Sequence, residues 1–328
     1  MANVSIATVS LVIHDHKRIS QETKQKVQQA ITALNYHPSR SARGLVSRKT
    51  GNVGFILTND HFLRTEPFYT QIFMGTEFEA RDHELYVLLA TVDSNAKEND
   101  SLPRFILDKN IDGMIVAGKV PQALIDKLKK YDLPIVFVDY MPGDKKSSVV
   151  SIDNELGGII ATKHLIELGH KHIAFIGGDI GHPSINDRFN GYKTAMEKAC
   201  IPLVQKYIET DEDYPARANG YNAARKLFSV NNKITALFAC NDAMAIGAMQ
   251  YLKDSGMRIP EDISVIGFDD VVPDGTVDPP LCTIRVPKLE MGVEAMKLIS
   301  EQIKNPGLGN QKILIPAELI IRKSTRKI

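Results

Sequence analysis

Polar side chains follow several apolar runs of the sequence at the point where each run ends. Asp139 follows PIVFV, Asn241 follows LFAC and Asp269 follows VIGF, while Arg188 lies in a predicted helix after the run FIGG. If these runs are parallel strands, their carboxyl ends share one edge of a sheet, where open α/β sheets bind their ligands. Carboxylates, an amide and a guanidinium in one cleft can bond the vicinal hydroxyl groups of a sugar as acceptors and as donors.

Three aromatic residues, Phe68, Tyr69 and Tyr214, are candidates to cover the apolar face of a sugar ring. Phe68 has an alternative interpretation as a plain core residue. Asp153 follows the run VVSI in the same way as the other carboxylates. However, Asp153 and Asp242 also stand where each could cap the helix that follows. The sequence is compatible with both roles.

The charge of the chain is divided unevenly. Its first 50 residues hold eight Lys and Arg against two acidic residues, whereas residues 51–328 hold 32 against 37. A basic segment on a mildly acidic body predicts a polyanion partner for that segment alone. Within it, Leu45 is an apolar residue among Arg40, Arg43 and Arg48. A leucine wedged between minor-groove base steps is one way in which proteins kink DNA, and packing of Leu45 on the core is the alternative.

The same segment predicts two short helices. Ser5 can cap a helix that ends at Ile13. Ser20 can cap a second helix whose apolar residues share one buried face: Val27, Ile31 and Leu34. Thr8 and Ser10 of the first helix could bond phosphates or bases, with local capping or solvation of the helix by Ser5 and Thr8 as the alternative.

The rest of the chain predicts alternating strands and helices. Seven short apolar runs are strand candidates: VGFIL (53–57), LYVLLA (85–90), GMIVAG (113–118), PIVFVD (134–139), HIAFIGG (172–178), TALFACND (235–242) and ISVIGFDD (263–270). Amphipathic stretches between them are helix candidates: 71–82, 155–168, 188–199, 217–228 and 243–255. Continuously apolar strands that alternate with helices predict parallel sheets covered on both faces. The fold class we expect is α/β, with two doubly wound parallel-sheet domains divided near residue 150.

Several classes of protein are disfavoured by the sequence. The composition is that of an ordinary globular chain, and no apolar run approaches the ~18 residues of a membrane span. We see no secretion signal, and the three isolated cysteines fit a reducing cytoplasm. The segment GGDIG (177–181) departs from the dinucleotide fingerprint, and P-loop, GxSxG and HExxH motifs are absent from the sequence. His170 and His172 have no further ligands at zinc spacing and are expected to cap a helix end. We therefore expect a cytoplasmic protein that is not an enzyme and that uses no metal and no cofactor.

The chain resembles the LacI/GalR family of bacterial repressors through motifs in one consistent order. Its first segment, VSIATVSLVIH…RISQETKQKVQQAITALNYHPSRSARGL, is similar to the family's DNA-binding head. The body carries EPFYTQIFMGTE, VSIDNELGG, HLIELGHKHIAFIGG, DRFNGYKTAM, FACNDAMAIGAM, ISVIGFDD and PPLCTIRVP. The resemblance implies a small all-α helix-turn-helix head, a hinge helix and two periplasmic-binding-protein-like (type I) subdomains. It places the head at 1–37, the hinge and linker at 38–50, the N-terminal subdomain at 51–150 plus about 284–310, and the C-terminal subdomain at 151–283 plus about 311–328.

The resemblance also assigns roles to individual residues. It implies ligand contacts at Phe68, Tyr69, Asp139, Arg188, Asn241 and Asp269, with Asp153 and Tyr214 as weaker candidates. It implies DNA contacts in the first helix and the hinge: Ser5, Ile6, Ala7, Thr8, Ser10, Leu11, Arg40, Ala42, Arg43 and Leu45, the last as the intercalating residue. We expect the side chain of Arg188 to support ligand binding rather than the core.

Two features depart from the family pattern. The family's head begins with a helix about ten residues before the position of Asn3, so we expect this head to lack the first helix of its pair. Leu11 and His14 stand where the family motif TVSRVLN has arginine and asparagine.

These observations and the resemblance predict a ligand-responsive transcription regulator, a repressor, that binds a near-palindromic operator as a homodimer. A small carbohydrate effector would change the angle between the subdomains and so the hinge. A purine effector is an alternative, because aromatic cover with Arg and Asp also suits a base. A sugar-binding module without DNA-binding activity, owing to the incomplete head, is another alternative, and a nicotinamide-dependent enzyme is a third that the missing fingerprint argues against.

Overall fold

The structure is a computed structural model of the 328-residue chain. It describes residues 2–13, 18–34, 49–62, 67–97, 99–143, 147–230, 233–271 and 277–328. The chain forms two compact units, Met1–Gly51 and Asn52–Ile328.

In its described residues, the first unit contains the helices α1 (Ile6–Ile13) and α2 (Gln21–Ala33), which pack against each other. Val12 of α1 and Val27 of α2 are its buried hydrophobic residues within the part that the structure describes. Two short helices with one buried valine each make only a small core.

Both helices begin at the caps that the sequence predicts. The Ser5 hydroxyl accepts the amide of Thr8 at 3.1 Å, and Ser20 accepts the amide of Thr23 at 3.3 Å. The prediction for Leu34 is wrong, since this residue is 60% exposed. The reason is local: α2 ends one residue earlier, so Leu34 does not continue the buried helical face.

The second unit is built on two six-stranded sheets. The first sheet has the order β11-β5-β4-β3-β1-β2 and is parallel throughout: β1 (Asn52–Thr58), β2 (Tyr86–Val92), β3 (Gly113–Ala117), β4 (Ile135–Val138), β5 (Ser148–Ile152) and β11 (Lys312–Ile315). The second sheet has the order β12-β10-β9-β8-β6-β7: β6 (Ile173–Ile176), β7 (Ile208–Glu209), β8 (Ala236–Ala239), β9 (Ser264–Asp269), β10 (Cys282–Arg285) and β12 (Glu318–Ile320). In the second sheet only the pairing of β10 with β12 is antiparallel among the described pairs.

Helices cover both sheets. They are α3 (Asn59–Phe62), α4 (Phe68–Asp82), α5 (Arg104–Leu107), α6 (Gln122–Leu128), α7 (Asn154–Glu167), α8 (Pro183–Lys198), α9 (Arg217–Val230), α10 (Asp242–Asp254) and α11 (Lys288–Lys304). Three helix pairs pack closely: α4 with α11, α7 with α8, and α9 with α10. Glycines permit this approach, since a Cβ at Gly75 would collide with the carbonyl oxygen of Leu289. Every residue of β3, β8 and β9 is buried, as the continuously apolar runs predict.

We call the first sheet with its helices the first lobe, and the second sheet with its helices the second lobe. The chain passes between the lobes three times: after β5, between β10 and α11, and between β11 and β12. These connections shift the expected subdomain boundaries. Strand β5 extends to Ile152 in the first sheet, and β10 (Cys282–Arg285) lies wholly in the second sheet. The segment 311–328, expected in the second lobe, is shared, because β11 pairs with β5 of the first lobe and only β12 joins the second.

No helix in the described part of the chain is both long enough and apolar enough to cross a membrane.

Candidate ligand-binding cleft

A cavity of about 600 Å³ lies at the carboxyl ends of the parallel strands of both lobes. Its first-lobe lining follows β1 to β4 and includes Thr58, Asp60, Phe68, Tyr69, Ser94, Lys119, Asp139 and Tyr140. Its second-lobe lining follows β6 to β9 and includes Asp179, His182, Arg188, Asp213, Tyr214, Asn241, Asp269 and Val271. The volume is in the range of cavities that hold small ligands.

Seven of the eight ligand-contact candidates from the sequence line this cavity: Phe68, Tyr69, Asp139, Arg188, Tyr214, Asn241 and Asp269. Their role as ligand contacts stays a prediction. The eighth, Asp153, is not among the described lining residues. Its carboxylate accepts the amide of Leu156 at 2.9 Å and caps α7, so the capping interpretation of Asp153 is the one that the structure shows.

On the first-lobe side, an aromatic pair adjoins a buried carboxylate. The hydroxyl of Tyr69 donates to Oδ2 of Asp139 at 2.9 Å, and both residues are buried. The rings of Phe68 and Tyr69 meet edge to face with centroids 4.9 Å apart. The bond between tyrosine and aspartate fixes an acceptor group next to an apolar ring surface, which is the combination that a sugar ring requires.

On the second-lobe side, Arg188 is held by several groups at once. Its Nε donates to Oδ1 of Asn154 and its Nη1 to the carbonyl oxygen of Cys240, both at 2.8 Å. Nη1 also forms an ion pair with Oδ1 of Asp269 at 3.1 Å. The guanidinium carbon lies 3.8 Å from the ring centroid of Phe268. Arg188 therefore belongs to the buried framework of the second lobe as well as to the cavity wall, contrary to the expectation that it supports binding alone.

The cap of α10 is Asn241, which also lines the cavity, and not Asp242, for which the sequence suggested this role. Asn241 caps α10 by accepting the amide of Met244 at 2.9 Å, and its Nδ2 donates to the carbonyl oxygen of Pro215. Asp242 is the first residue of α10 and does not cap it. Its carboxylate accepts the hydroxyl of Thr283 at 2.6 Å and the amide of Val271 at 3.0 Å. Burial, together with the charge of Asp269, raises the pKa of Asp242 to about 7.

Sequence reasoning missed an ion pair that joins the lobes across the cavity. Lys119, after β3, donates to Oδ2 of Asp179, after β6, at 3.1 Å, and to the carbonyl oxygen of Gly181 at 3.4 Å. Burial raises the pKa of Asp179, but the hydrogen bonds from Lys119 and the Gly181 amide outweigh burial, so this pKa lies below its ordinary value. Both residues directly follow predicted strands, which is the signal that identified Asp139 and that would have identified them too. Asp60, His182 and Asp213 were missed as well.

Of the two histidines considered for zinc, His170 lies at a helix end, and Nδ1 of His172 lies 3.4 Å from the hydroxyl oxygen of Tyr207. The amide of His170 closes the end of α7 on the carbonyl oxygen of Leu165, as expected for a helix end. Its ring nitrogens lie 2.9 Å from Oγ1 of Thr235 and 3.0 Å from Oγ of Ser264. Within the described ranges, no group of three His, Cys, Asp or Glu side chains is arranged to hold a metal ion.

The candidate DNA contacts of the head are described in part. Leu11 and Ala7 are exposed on α1. The hydroxyls of Ser5 and Thr8 lie 2.9 Å apart and form part of the cap. The side chains of Ile6 and Ser10 lie outside the described structure, as do the hinge candidates Arg40, Ala42, Arg43 and Leu45.

Comparisons with known proteins agree with this architecture. Residues 1–39 match the family described as bacterial regulatory proteins, lacI family, and residues 162–325 match the periplasmic binding protein-like domain. The HTH-type transcriptional repressor PurR of Histophilus somni is 33% identical over 330 residues, which cover 100% of this chain and 97% of that protein.

Two solved structures cover nearly the whole chain. A complex of the transcriptional regulator CelR with cellobiose has a TM-score of 0.77 and 28% identity, and the match covers 98% of this chain and 97% of that one. The lac repressor dimer bound to operator and the anti-inducer ONPF has a TM-score of 0.82 and 25% identity, with 99% and 96% covered. Because the relatives are repressors, the expectation that the chain is not an enzyme is confirmed. The chain belongs to the LacI family of bacterial transcription regulators.

Proposed function

We propose that this regulator is a repressor whose effector is a small uncharged carbohydrate bound in the cavity between the lobes. The observation that carries the proposal is the pairing of buried polar groups with aromatic rings in one cavity. Asp139 with Tyr69 lies on the first-lobe side, and Arg188 with Asp269 lies on the second. Hydroxyl groups on a sugar ring can bond both sets while Phe68 covers an apolar face of the ring.

The charge of the lining supports an uncharged ligand. Among the described lining residues, five are carboxylates: Asp60, Asp139, Asp179, Asp213 and Asp269. The two Lys and Arg residues in that lining are Lys119 and Arg188, and each forms an ion pair with one of these carboxylates. A phosphorylated sugar would add about two negative charges next to this acidic lining, and like charges repel.

The neighbouring CelR structure is a complex with cellobiose, which supports a carbohydrate effector. A ligand that bonds both lobes stabilises the angle at which it bonds them best. We propose that this angle controls the hinge segment 38–50 and so the affinity of a homodimer for a near-palindromic operator. The lac repressor neighbour is a dimer bound to its operator.

The experiment is isothermal titration calorimetry of the whole chain with cellobiose, D-glucose, D-glucose 6-phosphate and purine bases. We expect binding of an uncharged sugar and weaker binding of the phosphate ester. Tyr69→Phe removes the hydroxyl group that donates to Asp139 and should lower the affinity for the sugar about threefold to tenfold, the effect of one hydrogen bond.

The matched control is Tyr86→Phe, which removes the same hydroxyl group from an exposed tyrosine on β2 that does not line the cavity. This control should leave the sugar affinity unchanged. Tighter binding of the phosphate ester or of a purine base would refute the proposed class of effector.

A further inference from the structure

A buried lysine stands where the chain passes from the second lobe to the first. Lys288 is the first residue of α11, follows β10, and is 4% exposed. Its Nζ donates to the carbonyl oxygens of Asp269, Asp270 and Val286, the last two at 3.2 and 3.1 Å. Three backbone acceptors thus match the three donors of the ammonium group, which is how a buried charge is satisfied.

Two of these acceptors belong to an unusual turn. Asp269 has φ of 108° and Asp270 has φ of 53°, a region that residues other than glycine rarely adopt. Such a backbone persists where surrounding contacts hold it in place. Here the carbonyl oxygen of Asp269 also accepts the amide of Val286 at 3.4 Å. The carboxylate of Asp270 is bonded by Arg285 at 2.8 Å.

This turn forms part of the cavity wall. Asp269 carries the carboxylate that pairs with Arg188 at 3.1 Å, and Val271 lines the cavity two residues further on. On the first-lobe side, Nζ of Lys288 lies 5.8 Å from the ring centroid of Phe68, another lining residue. Lys288 is not itself among the lining residues, so its contacts connect the two walls from behind.

We propose that Lys288 is a positioning residue of the ligand cavity. It ties the turn at Asp269 and Asp270 of the second lobe to the first turn of α11 in the first lobe. In doing so it holds the carboxylate of Asp269 at Arg188. The inference rests on the proposed function in one respect, namely that the effector binds in this cavity.

The electrostatic surroundings support the assignment. Burial lowers the pKa of Lys288, and the carboxylates of Asp269, Asp242 and Asp270 act in the opposite direction. Replacement by methionine would fill a similar volume without any donor. The three carbonyl oxygens would then lose a partner inside the protein, and the turn would lose one of the groups that hold it.

Backbone hydrogen exchange measured by mass spectrometry tests the proposal without any ligand. In Lys288→Met, we expect exchange at the amides of Val271 and Val286 to be about tenfold faster, because both flank the released turn, while β6 keeps its wild-type rates. Lys288→Arg keeps a cationic donor, so its exchange rates at these two amides should stay within about threefold of wild type. The control is Lys297→Met, on the same helix, where the lysine is half exposed and pairs with Glu294 at 2.8 Å. This control should leave the exchange rates at the amides of Val271 and Val286 unchanged.

Calorimetry with cellobiose supplies the second readout. We expect about fivefold weaker binding in Lys288→Met and wild-type binding in Lys297→Met, as for a lost positioning contact. Unchanged exchange at Val271 and Val286 would overturn the proposal, and so would an equal rise in every strand, which indicates loss of general stability. If cellobiose does not bind the wild-type chain, the carbohydrate assignment is in question, while the exchange comparison still decides the role of Lys288. If Lys288→Met does not fold, Lys288→Gln is measured against the same criteria.

Discussion

Replacing Arg188 with methionine should destabilise the core even without a ligand. The substitution removes donations from Nε to Asn154 and from Nη1 to Cys240, both at 2.8 Å, and the ion pair with Asp269 at 3.1 Å. A hydrogen bond from a charged donor contributes about 1.5–3 kcal/mol, and loss of one partner of a buried ion pair costs about 3–5 kcal/mol. These contributions overlap, and Asp269 borders a cavity that water can enter. We therefore expect the free energy of unfolding to fall by about 3 kcal/mol.

A double-mutant cycle in urea denaturation, followed by circular dichroism at pH 7, measures the coupling. Asp269→Asn removes the charge that Arg188→Met leaves behind, so the double variant should lose at least about 1 kcal/mol less than the two single variants together. Arg258→Met removes an arginine that pairs with Asp262 at 2.9 Å on the exposed surface and should leave the urea midpoint unchanged. A loss below about 1 kcal/mol for Arg188→Met, or strict additivity in the cycle, would refute the buried framework described for this arginine.

Three further predictions concern other parts of the molecule. Burial raises the pKa of Asp242 from 3.8 to about 7, so the folded chain holds a proton that the unfolded chain loses. As the pH rises from about 4 to about 7, the free energy of unfolding should therefore fall by up to about 1.4 kcal/mol per pH unit. Asp242→Asn should make the free energy of unfolding less dependent on pH in urea titrations at several pH values. Lys119→Met should raise the pKa of Asp179 in a carbon-13 NMR titration, because the hydrogen bond from Lys119 helps to lower it; an unchanged pKa would mean that the inter-lobe ion pair is not formed in solution. Leu45→Ala should reduce operator affinity and the DNA bend measured by circular-permutation gel shift, while sugar affinity stays the same, because a wedge acts only on DNA.

The cavity lining was largely predictable because one rule governs it. Parallel strands of one sheet end at a common edge, so the residues after neighbouring apolar runs, such as Asn241 and Asp269 in the second sheet, had to lie near one another. Lys119 and Asp179 follow the same rule. Their pairing could not be predicted, because it joins strand ends from separate sheets and depends on the distance between the lobes.

The hydrogen-bond partners of individual side chains could not be predicted from the spacing of residues in the sequence. Asp153 and Asn241 both follow a strand and precede a helix, yet the first caps its helix away from the cavity and the second caps and lines it. The pattern also could not show that a backbone carbonyl, that of Cys240, would engage Arg188. Lys288 gave no signal, since its acceptors are backbone carbonyl groups, and those of Asp269 and Asp270 approach it only through the fold.

The sequence pattern also could not predict the edge strands β11 and β12. Strands β11 and β12 have four and three residues and are separated by two residues, yet they join different sheets. Segments this short carry too little alternation to specify a register or a partner. Only the pairing of β11 with β5, and of β12 with β10, decides to which lobe each belongs.

The decisive measurement is whether a carbohydrate changes DNA binding by the whole chain. A near-palindromic operator would be selected from random duplexes by the protein itself, and affinity would be measured by fluorescence anisotropy with and without the sugar that binds best in calorimetry. We expect this sugar to change operator affinity by about tenfold, the usual scale of coupling between two sites. Tyr69→Phe should raise the sugar concentration at which operator affinity changes, whereas Tyr86→Phe should leave that concentration unchanged. Operator affinity that stays the same while calorimetry shows the sugar bound would contradict control of DNA binding by a carbohydrate.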